Sequence, residues 1–401
     1  MKTRKLVAGL LSLSMIATAA AIPADVDING VFSNTAISAR AEETSGDYTY
    51  TVLADGTVEL TKYNGSDAQI TVPSAVDGKK VTSIGVGCFL AKTKITNVEI
   101  PNGVTNIGSR AFLKCSVLEA VSIPKTVTSI GEYAFSECQV LSDIVLPNRI
   151  TTIEERTFYK CKKLATIEIP NTVTKIGDYA FMMCDNMNDI VIPDSVKSIG
   201  TGAFQYCSAL ESLKVPAKLD FVGGWAFNGT KFLNNQSSAF RYAGNWVVDC
   251  GDRTLETAEI TDGTAGIASW GMGYARKLKT LIIPKSVKFI GGNSFKYCDA
   301  LSDIYFEGSE SEWNSITKDE TGNTKLLNAT VHFNGRPDDS SSVDDSSSRT
   351  DSSSKSESSS IADSSSRSDS SSKAESSSKS ESSSKAESSS KAESSSKAES
   401  S

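Results

Sequence analysis

Residues 124–146 read PKTVTSIGEYAFSECQVLSDIVL, and the same frame returns every 23 residues through the middle of the chain. Prolines mark this register at Pro101, Pro124, Pro147, Pro170, Pro193 and Pro216. A self-similar period of this length is typical of solenoids, in which each repeat forms one coil and packs on its neighbours. The repeat therefore decides the fold class.

Each repeat divides into a strand and a turn. The segment 141–146 ends in the apolar alternation of a short strand with one buried face, and Pro147 stops it because proline has no amide hydrogen. Gly131 permits a tight corner, and the Ala-Phe-x-x-Cys segment 134–138 suits a single helical or 3₁₀ turn. The sequence predicts an α/β repeat: a right-handed leucine-rich-repeat solenoid with a short strand and a helical or 3₁₀ turn per 23 residues.

A single coil cannot fold alone, so the ends of the solenoid need caps. Burying some six apolar side chains contributes roughly 10–15 kcal/mol, whereas ordering each residue costs roughly 1–2 kcal/mol. A hairpin signal, Ala-Asp-Gly-Thr at 54–57, lies between two alternating segments and predicts an N-terminal cap hairpin over residues 42–72. The solenoid then spans 73–304, and the non-periodic but apolar segment 305–336 is predicted to form the C-terminal cap.

An insertion interrupts the period at about residues 234–258, where the sequence is typical of an extra hairpin. Insertions in solenoids map to loops on one face and can carry function. Phe240, Tyr242 and Trp246 are the candidate contacts. Two roles remain open for these aromatic residues, ligand contact and packing of the hairpin onto the solenoid.

The two ends of the chain have their own compositions. Basic residues precede the apolar run 6–21, which indicates a signal peptide over residues 1–41, with cleavage near residue 24 or 41. No membrane span is expected after cleavage, because no other run approaches about 20 apolar residues. Residues 337–401 repeat a serine-rich hexapeptide without aromatic residues, which predicts a disordered tail.

Charge and residue counts exclude other classes of protein. The net charge is −7, and basic residues are scattered, which disfavours nucleic acid as a partner. His332 is the single histidine and alternates with apolar neighbours, so a Ser-His-acid triad would have to lie in the cap. Zinc spacing of the form C-x₂-C is also absent. We expect no enzyme activity, cofactor or metal.

Six of the eight cysteines occupy one position of the repeat: Cys115, Cys138, Cys161, Cys184, Cys207 and Cys298. An exported chain with this many cysteines would ordinarily suggest disulfides. Stacked coils instead place these side chains in parallel inside the core, where the crossed geometry of a disulfide is difficult to reach. The sequence therefore favours a structural column of reduced thiols.

The unit I-P-x-x-V-x-x-I-G-x-x-A-F-x-x-C-x-x-L-x-x-I resembles the repeat of the BspA-like leucine-rich repeat family of bacterial and protist surface proteins. The resemblance covers about residues 48–334 and is specific for the fold. It implies adhesion as the function and carries no catalytic motif. The chain departs from the family pattern at Glu154, where glycine is usual, and at Thr230 and Ala275, which replace cysteine.

The candidate binding surface is the outward face of the predicted strands. Its central column reads Glu99, Ser122, Val145, Glu168, Val191, Lys214, Ile282 and Tyr305. Aliphatic side chains alternating with charged ones fit a contact surface for a macromolecule. We expect a monomeric protein at the bacterial surface or secreted, which binds an extracellular protein or polysaccharide. The alternative is a structural surface protein that binds nothing and uses its tail as a spacer.

Overall fold

The computed structural model describes residues 41–337, which form a parallel β-solenoid of about 12 turns. The predicted signal peptide and tail lie outside these residues, apart from positions 41 and 337. The solenoid prediction is confirmed, but the prediction of one strand per coil is wrong. Most coils carry two strands. The second strand consists of the two residues that end at the isoleucine before the conserved glycine, and it also pairs with a neighbouring coil.

The N-terminal hairpin closes the first coil. Tyr50 pairs with Leu60 in an antiparallel hairpin, and the second strand of that hairpin then pairs in parallel with the first coil, Leu60 opposite Ile84. The open edge of the solenoid is therefore covered. The strands of this region are β1 (Glu43–Ser45), β2 (Tyr48–Val52), β3 (Val58–Tyr63), β4 (Gln69–Thr71), β5 (Ala75–Val76) and β6 (Lys79–Ile84).

Two parallel sheets run along the regular coils. The proline-side sheet contains the strands that precede the prolines, and the glycine-side sheet contains those that precede the glycines. In the first half of the molecule the proline-side strands are β4, β7 (Asn97–Glu99), β9 (Ala120–Ser122), β11 (Asp143–Ile144), β14 (Asp189–Val191) and β16 (Ser212–Lys214). The glycine-side strands are β3, β6, β8 (Asn106–Ile107), β10 (Ser129–Ile130), β12 (Thr152–Ile153), β13 (Lys175–Ile176), β15 (Ser198–Ile199) and β17 (Phe221–Val222).

The third side of each coil, the turn edge, is not the predicted helical or 3₁₀ turn. It is a series of tight turns with two left-handed residues four positions apart, such as Tyr133 (φ 58°) and Glu137 (φ 60°). These turns bond both within the coil and across coils. The amide of Cys138 donates to the carbonyl of Phe135, and the amide of Phe135 donates to the next coil at Thr157. Backbone hydrogen bonds between coils thus replace the hydrogen bonds within the coil that a helix would require.

Aromatic rings and thiols fill the core behind the turn edge. Phe89, Phe112, Phe135, Phe158, Phe181, Phe204 and Phe227 stack as a ladder with centroids 4.9–5.7 Å apart. Each thiol of the six-cysteine column is buried and donates to a carbonyl 26 residues earlier, as Cys115 does to Phe89 at 3.0 Å. All eight cysteines are free.

The insertion divides the core into two clusters. Its two strands form an antiparallel hairpin, and the second also pairs in parallel with the following coil, Val247 opposite Ile267. Trp246 belongs to the first cluster of buried side chains and Phe240 to the second. The hairpin is therefore wedged into the solenoid. It is preceded by α1 (Lys231–Asn234) and consists of β18 (Phe240–Ala243) and β19 (Trp246–Cys250).

The second half repeats the same arrangement and then closes. The cap is built on Asn323, whose buried amide bonds Gly291 and Phe295 of the last coil and Asp319 of the cap itself. The elements are β20 (Thr257–Glu259), β21 (Gly266–Ile267), β22 (Thr280–Ile283), β23 (Phe289–Ile290), β24 (Asp303–Phe306), α2 (Glu310–Ser315), β25 (Thr317–Lys318), α3 (Thr324–Asn328) and β26 (Thr330–Phe333).

Both sheets are interrupted at the coil that carries Glu154. Among the described residues, β10 does not pair with β12, and β11 does not pair with residues 165–169 of the next coil. Glycines at the equivalent positions have no room for a Cβ: one built on Gly131 or Gly177 would lie 2.6–2.7 Å from backbone atoms of the preceding coil. The side chain of Glu154 therefore holds the coils apart.

Candidate binding surfaces

The proline-side sheet aligns the predicted column in two runs. In the first run, β7 and β9 place Glu99 beside Ser122. Farther along the same run, β14 and β16 place Val191 beside Lys214. The segment with Glu168 forms no strand. In the second run, Ile282 lies beside Tyr305.

Three residues in these columns were missed by the sequence analysis: Thr71, Glu259 and His332. Glu259 could have been found by counting one period back from Ile282. The other two lie in coils of irregular length, so the 23-residue spacing does not reach them.

The first run is open to solvent. Val145 is 70% exposed and Val191 is 53% exposed, and their charged or polar neighbours in the column are exposed as well. Val191 lies in β14 and Val145 directly follows β11, and apolar side chains at this exposure are typical of contact surfaces.

Two grooves lie on this face. One, of about 490 Å³, is lined by Thr71, Glu99 and Ser122. The other, of about 710 Å³, is lined by Val145, Glu168 and the prolines and asparagines that follow each strand. The second groove coincides with the interruption of the sheet.

Ile282 does not belong to the exposed surface, which corrects the sequence analysis. Its side chain is only 8% exposed. The guanidinium of Arg336 bonds the carboxylates of Glu259 and Glu307, which lie in the coils on either side of Ile282. The end of the C-terminal cap thus folds back over this part of the column.

The end of the second run forms a small polar stack. Tyr305 is half-buried, and its ring stacks on that of His332 with centroids 4.4 Å apart. Nε2 of His332 lies 2.9 Å from a carboxylate oxygen of Asp303. This hydrogen bond lowers the pKa of Asp303. The contacts of the single histidine are therefore those of a packed cap residue.

Two of the three insertion aromatics are core residues. Phe240 and Trp246 are buried, and the indole Nε1–H of Trp246 donates to the carbonyl of Leu219 at 3.0 Å. The hydroxyl of half-buried Tyr242 lies 3.2 Å from that of Thr261. The ligand-contact role is thus wrong for Phe240 and Trp246, because the hairpin is wedged into the core rather than laid on it.

Four further aromatic residues, which the sequence did not single out, are exposed or half-buried. Trp225, Trp270, Tyr274 and Tyr297 stack in a row on the turn edge, with centroids 5.3, 5.9 and 4.8 Å apart. All four occupy left-handed positions of their coils. They occupy two positions of the repeat, Trp225 and Trp270 at one and Tyr274 and Tyr297 at the other, and this recurrence was the available signal. We call this set the aromatic row.

Within residues 41–337 no group of three or more histidine, cysteine or acidic side chains has an arrangement that could hold a metal ion. None of the helices in this part of the chain has both the length and the apolar character needed to cross a membrane.

Comparison with protein families gives one match. The sequence profile described as BspA type leucine rich repeat region, in six copies, matches residues 68–188, 105–234 and 250–336. Together these segments span more than half of the chain. The comparison with curated proteins gives no match.

Solved structures of bacterial leucine-rich repeat proteins are also similar. A leucine-rich repeat protein of T. pallidum is 29% identical over 48% of this chain and 90% of its own, with a TM-score of 0.46. One from Bacteroides ovatus is 25% identical over 73% and 78%, with a TM-score of 0.49. A leucine rich cell surface protein from Faecalibacterium prausnitzii is 24% identical over 70% and 98%, with a TM-score of 0.28. The family assignment rests on the sequence profile, since these TM-scores are all below 0.5.

Proposed function

Because the chain belongs to the BspA-type leucine-rich repeat family, we propose that it is an adhesion module that binds an extracellular protein or polysaccharide through its proline-side sheet. Members of this family are typically surface or secreted bacterial proteins, and leucine-rich repeats generally act as non-enzymatic binding modules. We propose in addition that the binding surface of this chain is its proline-side sheet and that the ligand is a macromolecule.

The observation that carries the proposal is the exposed column from Glu99 to Lys214. Its side chains stand at the spacing of successive coils along two segments of the proline-side sheet, one on each side of the interruption, and the groove of about 710 Å³ opens at the interruption beside Val145. A rigid surface loses little conformational entropy on binding, so apolar contacts at Val145 and Val191 contribute directly to affinity. The length of the column suits an extended macromolecule better than a small ligand.

The test is a binding screen of the full chain against matrix proteins and insoluble plant and host polysaccharides. We expect saturable, competable binding to one class. The paired change Val145→Lys with Val191→Lys should weaken that binding at least tenfold, because a charge replaces each apolar contact. The matched control is Val117→Lys, an exposed valine outside the column, which should leave binding unchanged.

The opposite results are equally informative. If the paired change does not affect binding, the ligand binds at another surface of the protein. Absence of binding to every ligand in the screen would favour the alternative, a structural role for the solenoid at the cell surface.

A further inference from the structure

A second surface lies on the turn edge, away from the proline-side sheet. Where the insertion meets the aromatic row, a cavity of about 140 Å³ is lined by aromatic side chains on one side and polar side chains on the other. Trp225, Trp270 and Tyr274 supply its aromatic side, and its polar side consists of the amide of Asn228, the guanidinium of Arg253 and the carboxylate of Asp249. None of these residues belongs to the exposed column described above.

The aromatic side of the cavity remains accessible. Trp225 is 39% exposed, and Tyr274 and Tyr297 are 47% and 40% exposed. Aromatic side chains in water carry a large unburied apolar area, so a row of them is a ready contact for a ligand with an apolar face.

The polar side is held in place by ion pairs. Asp249 accepts from Arg241 at 2.9 Å and from Arg253 at 2.8 Å, and its side chain is only 15% exposed. One carboxylate thus serves two guanidiniums, and among the described residues neither of them is neutralised by a carboxylate of its own within ion-pair distance. A fixed guanidinium is well suited to a carboxylate or sulfate, which it can bind through two parallel hydrogen bonds.

A further cation lies beside the row. The amine of Lys296 is 5.1 Å from the ring of Trp270 and 5.6 Å from that of Tyr297. Across the part of the chain that the structure describes, no carboxylate lies within ion-pair distance of it. Arg253 and Lys296 thus place two cations beside the aromatic row of a chain whose net charge is −7.

We propose that the cavity and the aromatic row bind an acidic glycan. A sugar ring presents an apolar C–H face to an aromatic ring and hydroxyl groups to Asn228, while its carboxylate or sulfate meets Arg253. This site is independent of the function proposed for the proline-side sheet. It would let one chain hold a protein or polymer on one side and an acidic polysaccharide on another.

The test uses the full chain and four probes: oligogalacturonates, chondroitin sulfate oligosaccharides, neutral cello-oligosaccharides and a single-stranded oligothymidylate. Tryptophan fluorescence is a direct readout, because Trp246 and Trp313 are buried and Trp225 is exposed. Calorimetry gives the affinity. We expect saturable binding of at least one acidic glycan, weakened by salt, and at least tenfold weaker binding of the neutral one.

The variant is Trp225→Gly, which removes the ring and suits the left-handed backbone, as Gly202 does at the same position one coil earlier. Binding should weaken at least tenfold. Arg253→Gln should have a similar effect on the acidic probes. The matched control is Tyr206→Gly, an exposed aromatic residue at the other left-handed position, where Gly229 stands one coil later; it should change affinity less than twofold.

The paired change at Val145 and Val191 should also leave glycan affinity within twofold, which separates this proposal from the first one. The inference is overturned if no acidic glycan binds, if Trp225→Gly binds as well as the unchanged protein, or if the oligothymidylate or neutral glycan binds as tightly as the acidic ones.

Discussion

The rings of Phe135 and Phe158 stack 5.7 Å apart, the widest step in the phenylalanine ladder, and the second of them belongs to the coil that carries Glu154. The neighbouring steps, from Phe112 to Phe135 and from Phe158 to Phe181, are 5.2 and 5.3 Å. The step across the interruption is thus 0.4–0.5 Å wider than the steps on either side of it, which is consistent with one Cβ separating two coils, although the step from Phe204 to Phe227 is 5.6 Å.

Glu154→Gly should close this gap and stabilise the protein. Restoring two or three backbone hydrogen bonds contributes about 0.5–1.5 kcal/mol each, and the extra freedom of glycine in the unfolded chain costs about 0.5–1 kcal/mol. We expect a net gain of roughly 1 kcal/mol in denaturant unfolding. Amides of residues 151–154 should also exchange with solvent more slowly.

The matched control for that change is Gly177→Ala. Its new Cβ would lie 2.7 Å from the backbone of Glu154 and Glu155, so this variant should be less stable by roughly 1–3 kcal/mol. If Glu154→Gly left stability and exchange unchanged, the glutamate would not be the cause of the interruption.

Lys114→Gly should also stabilise the solenoid. Lys114 is exposed and has a φ of 63°, a conformation that costs an L-residue about 1–2 kcal/mol but costs glycine little. We expect a gain of about 0.5–1 kcal/mol, measured by denaturant unfolding. Lys125→Gly is the control, since Lys125 is exposed but has no positive φ; it should destabilise the protein.

The cysteine column should be unreactive in the folded protein. Burial raises the pKa of the Cys115 and Cys298 thiols to about 12. Native protein should therefore show almost no thiol labelling at pH 8 and little increase up to pH 10, because all eight thiols are buried. After denaturation all eight thiols should titrate. Detection of only two would instead indicate a ladder of disulfides.

Arg336→Ala should uncover the apolar side chain beneath it. The guanidinium bonds Glu259 and Glu307 across Ile282, and its loss should lower the denaturant midpoint of unfolding only slightly, because exposed ion pairs contribute little to stability. Binding of an apolar dye should increase. Arg276→Ala is the control, because Arg276 makes a single longer pair with Asp299 at 3.5 Å; its effect should be smaller.

The features that the sequence predicted depend on spacing or on turn chemistry. The coil period and the position of the cysteines follow from 23-residue counting, and the N-terminal hairpin follows from the Asp55-Gly56 turn. These signals are local or periodic, so a single sequence contains them.

The features that it missed depend on contacts between coils. Two residues such as Ser129–Ile130 are too short to show strand alternation. The side chain of Tyr133 gives no signal for a left-handed backbone. That conformation depends on backbone hydrogen bonds to the adjoining coils. The guanidinium that lies across Ile282 belongs to Arg336, which is 54 positions away and outside any repeat.

The hairpin formed by β18 and β19 gives each half of the solenoid its own core, with Trp246 in one and Phe240 in the other. Since packing in a solenoid is shared only between neighbouring coils, a duplication or deletion of one 23-residue unit in either half leaves the packing of the other half unchanged. Through evolution the binding face can therefore lengthen or shorten by whole coils, while the hairpin remains a fixed boundary between two independently variable segments.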